Sequence, residues 1–195
     1  MTGQPPSEPT VVGVAGSLRD HSYTRLALRR ALDAAGATGA EVDLLDLRTY
    51  DLPPLDPDVD EQGDSVALAR RIRGADAVLL GTPMYHGSYS GVLKNALDHC
   101  GFDEFEGKTV GLLGVAGGAF PITALEHLRS VCRALDAWVL PYQAAIPRAS
   151  AVVSDGAFVD EGIENRVATL GRRVVEYAAI EPDPRTFESD QNVGG

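Results

Sequence analysis

The chain has 195 residues and 44% of them are hydrophobic, which predicts a single domain with an ordinary apolar core. Its formal net charge of −11 argues against a nucleic-acid or anionic-membrane partner, because both partners require basic protein surface. No apolar run approaches the roughly 20 residues that span a bilayer. Residues 1–9 lack the basic and apolar parts of a signal peptide, so we expect a cytoplasmic protein.

Short apolar runs alternate with helical patterns along most of the chain. Apolar runs or strict alternation predict strands at residues 10–15, 41–47, 77–81, 109–115 and 138–146. Apolar residues at helical spacing predict helices at residues 26–35, 65–73, 92–97, 122–135 and 163–179. Residues 48–63 carry three prolines among acidic side chains and predict an irregular segment.

This alternation predicts an α/β fold with a doubly wound, five-stranded parallel sheet and helices on both faces. The chain length suits the flavodoxin-like strand order 2-1-3-4-5, in which ligands bind at the carboxyl ends of the strands. We expect one domain at residues 10–180, between a disordered N-terminal tail at residues 1–9 and a polar C-terminal tail at residues 181–195.

A hydroxyl-rich loop, residues 16–24, joins the first predicted strand to the first predicted helix. Ser17, Ser22 and Thr24 supply hydroxyl groups, and Arg19 supplies a guanidinium that can hold a phosphate through two hydrogen bonds. Together with the N–H groups of a helix N-terminus they favour a phosphate site. The simpler alternative is a helix capped by Ser22 or Thr24. The loop matches neither the dinucleotide-binding glycine pattern nor the P-loop.

Two further loops, at residues 83–88 and 114–118, follow the third and fourth strands at the same edge of the sheet. The Tyr85 and His86 rings and the backbone around them suit a flat heteroaromatic ligand. Alternatively, Tyr85 packs only at the rim and His86 is an ordinary surface histidine. The paired glycines of the later loop allow close approach of a ligand, or they simply form a tight strand-to-helix turn.

The two cysteines, Cys100 and Cys132, both fall in helical patterns and predict buried free thiols rather than a disulfide or a metal site. The four histidines are scattered, so we expect no metal centre.

The chain contains 15 Arg but only 2 Lys. This imbalance has two explanations, a GC-rich genome that favours Arg codons or an acidic, Lys-poor surface adapted to high salt.

Two motifs carry a family resemblance. They are Gly-Ser-Leu-Arg-x-x-Ser-Tyr-Thr from residue 16 and Pro-Met-Tyr-His-Gly-Ser-Tyr-Ser-Gly-Val-Leu-Lys-Asn-Ala-Leu-Asp from residue 83. Both resemble the NADPH-dependent FMN reductase family, which includes chromate, quinone and azo-dye reductases. The resemblance extends over residues 10–146. Thr24 departs from the pattern, since many relatives carry Asn there, but it keeps a hydrogen-bonding side chain.

The resemblance implies FMN as cofactor and NADPH or NADH as hydride donor. It assigns the FMN phosphate to Ser17, Arg19, Ser22 and Thr24, with Tyr23 nearby. It assigns the isoalloxazine ring to the other two loops, through Pro83, Met84, Tyr85, His86, Gly87, Ser88, Gly114, Ala116, Gly117 and Gly118. Lys94, Asn95 and Asp98 belong to the second motif but lie on the following helix, so we interpret them as structural or interfacial.

The resemblance therefore implies an enzyme that passes a hydride through FMN to a small acceptor, such as a quinone, an azo compound, a metal oxyanion or free flavin. FMN carries the chemistry, so no catalytic side chain is expected. The alternatives are a flavodoxin-like one-electron carrier or a protein that binds another phosphorylated ligand. The resemblance also implies a homodimer or homotetramer, with Leu93, Leu97 and residues 48–63 as candidate contact regions.

Overall fold

The computed structural model describes residues 8–178 and confirms the predicted sheet. Its five strands are β1 Thr10–Ala15, β2 Glu41–Asp46, β3 Ala77–Pro83, β4 Thr109–Val115 and β5 Trp138–Ile146. They lie in the order β2-β1-β3-β4-β5, and every neighbouring pair is parallel. Every residue of β3 and β4 is buried, as expected for inner strands that are covered on both faces.

Seven helices accompany the sheet within residues 8–178. They are α1 Tyr23–Gly36, α2 Ser65–Arg73, α3 Gly91–Asp98, α4 Phe102–Phe105, α5 Ile122–Ala134, α6 Ala149–Val152 and α7 Glu161–Glu176. The five predicted helices are confirmed. The single-turn helices α4 and α6 were not predicted, because four residues are too few to show a helical repeat.

A small antiparallel hairpin, β6 Val153–Ser154 and β7 Ala157–Phe158, was also not predicted. Its connection is Asp155-Gly156, and both residues have positive φ, 50° and 78°. That dipeptide is a known signal for a tight hairpin turn, so the sequence did carry a usable indication.

The helices pack in two layers. Helices α1 and α7 cover one face of the sheet, and α2, α3 and α5 cover the other. Neighbouring strand residues alternate between the layers, as Val11 and Val12 of β1 do. The layer of α1 and α7 is unusually close, because a Cβ added at Gly171 would lie 1.9 Å from the Ala31 carbonyl oxygen. Only glycine allows the two helix backbones to touch there.

The irregular segment predicted at residues 48–63 is held together from within. The buried Gln62 side chain accepts a hydrogen bond from the Asp56 N–H at 2.8 Å and donates to the Val59 carbonyl at 3.1 Å. Asn95 Nδ2 on α3 donates to the Leu52 carbonyl at 2.9 Å, which anchors the segment to the main domain. This contact confirms the structural interpretation of Asn95.

Two predictions on α3 and its surroundings are wrong. Leu93 and Leu97 do not lie on a contact surface, because both are buried beneath the sheet. Cys100 does not lie in a helix, since α3 ends at Asp98. Both cysteines are free, as predicted, and burial raises the pKa of each thiol to about 12.

The predicted tails lie largely outside the described residues. Pro9 is an exception: its carbonyl accepts a hydrogen bond from the Glu41 N–H at 3.0 Å, so sheet pairing begins one residue before Thr10. Between residues 8 and 178 no helix has the length and apolar character needed to cross a membrane.

Candidate functional site

Three connections meet at the carboxyl edge of the sheet, after β1, β3 and β4. We call them the first loop (residues 16–22), the second loop (residues 84–90) and the third loop (residues 116–121). The Gly16 N–H donates to the Gly81 carbonyl at 2.9 Å, and the Ser90 hydroxyl donates to the Gly16 carbonyl at 2.6 Å. The Met84 N–H donates to the Val115 carbonyl at 2.7 Å. These bonds fix the three loops relative to one another.

The first loop and the first turn of α1 carry hydrogen-bonding groups that have no protein partner. Ser17 and Thr24 are only 3% and 2% exposed, yet within residues 8–178 neither hydroxyl makes a hydrogen bond. In the same part of the chain, the backbone N–H groups of residues 17–20 find no acceptor either. Residues 18–20 are exposed, and within residues 8–178 Arg25 Nη1 is the only fully buried side-chain N or O atom without a hydrogen bond. The donors of this loop are therefore open to solvent, where an anionic ligand can reach them.

Ser22 caps α1. Its hydroxyl accepts a hydrogen bond from the Arg25 N–H at 3.2 Å, which confirms the capping role that the sequence left open between Ser22 and Thr24. The hydroxyl keeps its own O–H for donation. Capping and ligand binding are therefore compatible at this residue.

Two arginines that the sequence did not single out support the first loop from outside. Arg25 Nη2 donates to the carbonyls of Arg19 and Asp20, at 3.2 and 2.5 Å, and Arg25 Nη1 lies 3.3 Å from Asp46 Oδ2. Arg48 Nη2 lies 2.8 Å from Asp20 Oδ1. The guanidinium groups of Arg25 and Arg48 each pair with a carboxylate, whereas Arg19 has no ion-pair partner among residues 8–178.

The second loop contains a tight turn. The N–H and carbonyl groups of Tyr85 and Ser88 bond to each other in both directions, at 2.9 and 3.0 Å. The two central residues, His86 and Gly87, have φ of 50° and 81°, as in a type I′ turn. The turn presents the Tyr85 and His86 side chains to solvent.

Helix α5 supports this turn through two side chains that the sequence analysis missed. His127 Nδ1 lies 3.0 Å from the Ser88 hydroxyl, and the Thr123 hydroxyl donates to Met84 Sδ at 3.5 Å. Thr123 and His127 are four residues apart and so share a helix face. The four-residue spacing was visible in the sequence. That this helix face packs against the second loop was not.

The glycines of the third loop are not required by the protein itself. Neither Gly117 nor Gly118 has φ in the left-handed region, and a Cβ added at either residue would have no atom within 4 Å. Gly114 differs, because it lies inside β4 and its added Cβ would be 3.0 Å from Leu125 of α5. The described chain gives no steric reason for glycine at 117 and 118, and the open space beside both residues leaves room for a closely bound ligand.

Comparison with known proteins identifies the protein family to which this chain belongs. The family model for NADPH-dependent FMN reductase matches residues 9–151. The FMN-dependent NADPH-azoreductase of Staphylococcus aureus (strain USA300) is 38% identical over 138 residues, which cover 68% of this chain and 73% of the relative. The chain belongs to the NADPH-dependent FMN reductase family.

Solved structures agree with this membership. FerB, a flavoenzyme NAD(P)H:(acceptor) oxidoreductase from Paracoccus denitrificans, is 27% identical with a TM-score of 0.72, covering 87% of this chain and 97% of FerB. The apo form of an NADH:FMN oxidoreductase (EMOB) shares the fold with a TM-score of 0.69 at 20% identity, covering 91% of this chain and 94% of that one. This FMN reductase is therefore an FMN-dependent NAD(P)H oxidoreductase, as the sequence predicted, and not the one-electron carrier held as the alternative.

The residues at the edge fit the chemistry of FMN. Among the described residues 8–178, the first loop offers hydroxyl and N–H donors without a protein acceptor and the Arg19 guanidinium without an ion-pair partner, and these groups suit a phosphate ester. The third loop leaves open space beside Gly117 and Gly118, which suits a flat ring system. Within residues 8–178 no group of three or more His, Cys, Asp or Glu side chains could hold a metal ion.

Several of the predicted site residues are not at the open surface of this edge, and Pro83 and Ala116 are among the buried ones. Gly114 is packed under α5, and Tyr23 packs against the core beneath α1 and α7. Tyr23 also lines a cavity of about 1050 Å³ between α1 and the β6–β7 hairpin. That cavity contains Ser22 and Arg25 but no residue of the second or third loop, so it adjoins the three-loop edge rather than forming it.

Proposed function

We propose that FMN binds across the three loops of this reductase, with its phosphate on the first loop and its ring between the second and third. The observation that carries this proposal is that Ser17 and Thr24 are largely buried, yet their hydroxyls make no hydrogen bond within residues 8–178, where Arg19 also has no ion-pair partner. When bound, FMN would accept electrons from NADPH or NADH and pass them to a second substrate.

The roles of the individual residues follow from their positions. Arg19 would hold the phosphate through its planar guanidinium, and Ser17 and Thr24 would donate hydroxyl hydrogen bonds to the same oxygens. Ser22 would add its O–H while it caps α1. Tyr85 would form one wall for the ring system, at a turn whose shape is fixed by its own backbone bonds and by His127.

We propose azo compounds and quinones as the acceptor class. The azoreductase relative from S. aureus supports the first of these by its name. The edge also exposes large apolar side chains, with Leu18 on the first loop, Tyr85 on the second and Phe120, 76% exposed, on the third. Such a rim favours a flat aromatic acceptor over a small oxyanion.

We further propose that the enzyme forms a homodimer or homotetramer and acts in the cytoplasm. Leu55 and Val59 are exposed on the otherwise acidic segment 48–63 and supply candidate apolar contacts. The two free thiols suit a reducing compartment. A 20.6 kDa particle in light scattering, across protein and salt concentrations, would contradict the oligomer.

The third loop gives a direct test of the proposed site. Gly117→Ala and Gly118→Ala each add a methyl group to open space, so the melting temperature should change by less than about 2 °C. A ring bound against this loop would meet the new methyl, so FMN affinity should fall about tenfold, as should turnover of NADPH with an azo dye or a quinone.

Gly74→Ala is the matched control. Gly74 caps the far end of α2, and an added Cβ there would make only ordinary contacts at 3.5 Å. It should leave both melting temperature and FMN affinity unchanged. Unaltered FMN binding in the Gly117 and Gly118 variants would rule out the ring position proposed here.

A further inference from the structure

Arg25 occupies a position that its own helix disfavours. It lies in the first turn of α1, where the partial positive charge of the helix end repels a cation, and that turn contains no acidic residue. Its side chain is only 12% exposed, which adds a cost of desolvation. A buried arginine at this place needs compensating contacts, and the first loop provides them.

The compensating contacts are two backbone carbonyls and one carboxylate. Arg25 Nη2 donates hydrogen bonds to the Arg19 and Asp20 carbonyls, at 3.2 and 2.5 Å. Arg25 Nη1 is fully buried, makes no hydrogen bond within residues 8–178, and lies 3.3 Å from Asp46 Oδ2 at the end of β2. The guanidinium therefore connects α1, the first loop and β2.

These contacts determine which way the peptide groups of the first loop face. In a trans peptide the carbonyl of one residue and the N–H of the next point in opposite directions. Because Arg25 holds the carbonyls of Arg19 and Asp20, the N–H groups of Asp20 and His21 are turned away from it. The Asp20 N–H has no acceptor in the described chain, so it stays available to an anion.

We propose that Arg25 is a positioning residue that sets the preference of this enzyme for a phosphorylated flavin. It fixes the first loop in the conformation that presents N–H groups and the Arg19 side chain to phosphate, without touching the phosphate itself. This inference rests on the proposed FMN site. The two family motifs quoted above do not include Arg25. Its contacts supply a physical cause for the conformation of the first loop.

Arg48 makes a weaker version of the same contact. Its Nη1 reaches the Arg19 carbonyl at 3.5 Å, and its ion pair joins the Asp20 carboxylate, which is largely exposed. Exposed ion pairs of this kind contribute little. We therefore expect a substitution of Arg48 to lower FMN affinity as well, but by less than the same substitution of Arg25.

The test is the ratio of FMN to riboflavin dissociation constants, measured by flavin fluorescence on apo-protein. Arg25→Ala should weaken FMN about tenfold and riboflavin less than about twofold, and Arg48→Ala should weaken FMN about threefold. Arg25→Lys should recover only part of the loss, because an ammonium lacks the fork that spans both carbonyls and Asp46. Arg29→Ala, one turn along α1, is the matched control and should bind both flavins as wild type does.

A second measurement covers the case in which Arg25→Ala folds poorly. Asp46→Asn keeps the side-chain shape and removes the ion pair, and it should lower the FMN preference in the same direction. Amide hydrogen exchange of apo-protein should be unchanged at residues 27–35 of α1 in Asp46→Asn, which checks that the helix itself is intact.

The outcomes separate this inference from the proposed function. Equal loss of FMN and riboflavin, or an unchanged FMN preference in both Arg25→Ala and Asp46→Asn, would overturn the positioning role. If wild type itself does not prefer FMN, or if Arg19→Ala leaves that preference intact, the proposed phosphate site fails and this inference fails with it.

Discussion

Thr24 is a buried residue in the first turn of α1, and its hydroxyl makes no hydrogen bond within residues 8–178. The hydroxyl itself is not fully buried, because Arg25 Nη1 is the only fully buried side-chain N or O atom without a hydrogen bond in that part of the chain, so the Thr24 O–H is free to donate. The position departs from the family pattern, where many relatives carry Asn, but it keeps the ability to donate a hydrogen bond. We therefore expect the hydroxyl to serve a bound ligand and not the stability of the fold.

Thr24→Val tests that explanation by replacing the hydroxyl with a methyl group of similar shape. We expect FMN affinity to fall about 10- to 100-fold, the value of one hydrogen bond of about 1.5–3 kcal/mol to a charged group, while riboflavin affinity stays the same. Fluorescence titration of both flavins measures this. Thr24→Ser should restore FMN binding, and a matching loss of riboflavin affinity in Thr24→Val would contradict the phosphate contact.

At the scale of elements, Ser90 joins three parts of the edge. Its hydroxyl donates to the Gly16 carbonyl at 2.6 Å and accepts from the Leu93 N–H at 3.2 Å, and its own N–H donates to the Thr82 hydroxyl at 2.9 Å. The residue is buried. One side chain thus caps α3 and links the first and second loops.

Ser90→Ala should lower the free energy of unfolding by about 2–4 kcal/mol, because it removes a helix cap and leaves the Gly16 carbonyl buried without its partner. Urea denaturation measures the change. Ser22→Ala is the matched variant, since it removes the cap of α1 without cutting a link between loops, and it should cost about 1 kcal/mol. Equal losses in the two variants would show that the link adds nothing.

The strands and the longer helices could be predicted from the sequence, because buried parallel strands appear as apolar runs and packed helices as an apolar stripe. Helices α4 and α6 could not, since each is a single turn. The motifs singled out Ser17, Arg19 and the loop around Tyr85, and all three lie at the carboxyl edge of the sheet. Arg25 and Arg48 could not be found, because their role depends on tertiary contacts with loop carbonyls that no local pattern encodes.

At the scale of the whole molecule, the net charge of −11 is spread over a chain with 15 Arg and 2 Lys. If this composition is an adaptation to high salt, the melting temperature should rise between low and molar KCl. Screening reduces carboxylate repulsion there, because the Debye length falls to about 3 Å at 1 M. Calorimetry at several salt concentrations measures this. A flat or falling melting temperature would leave codon bias as the explanation.

The central claim is that the three loops at the carboxyl edge of the sheet form the FMN site of this reductase. A crystal structure of the FMN complex tests it most directly. We expect the phosphate within hydrogen-bond distance of Ser17, Arg19 and Thr24, and the ring against Tyr85 and the glycine pair at 117 and 118. A phosphate in the cavity between α1 and the β6–β7 hairpin, with the three loops empty, would contradict the account.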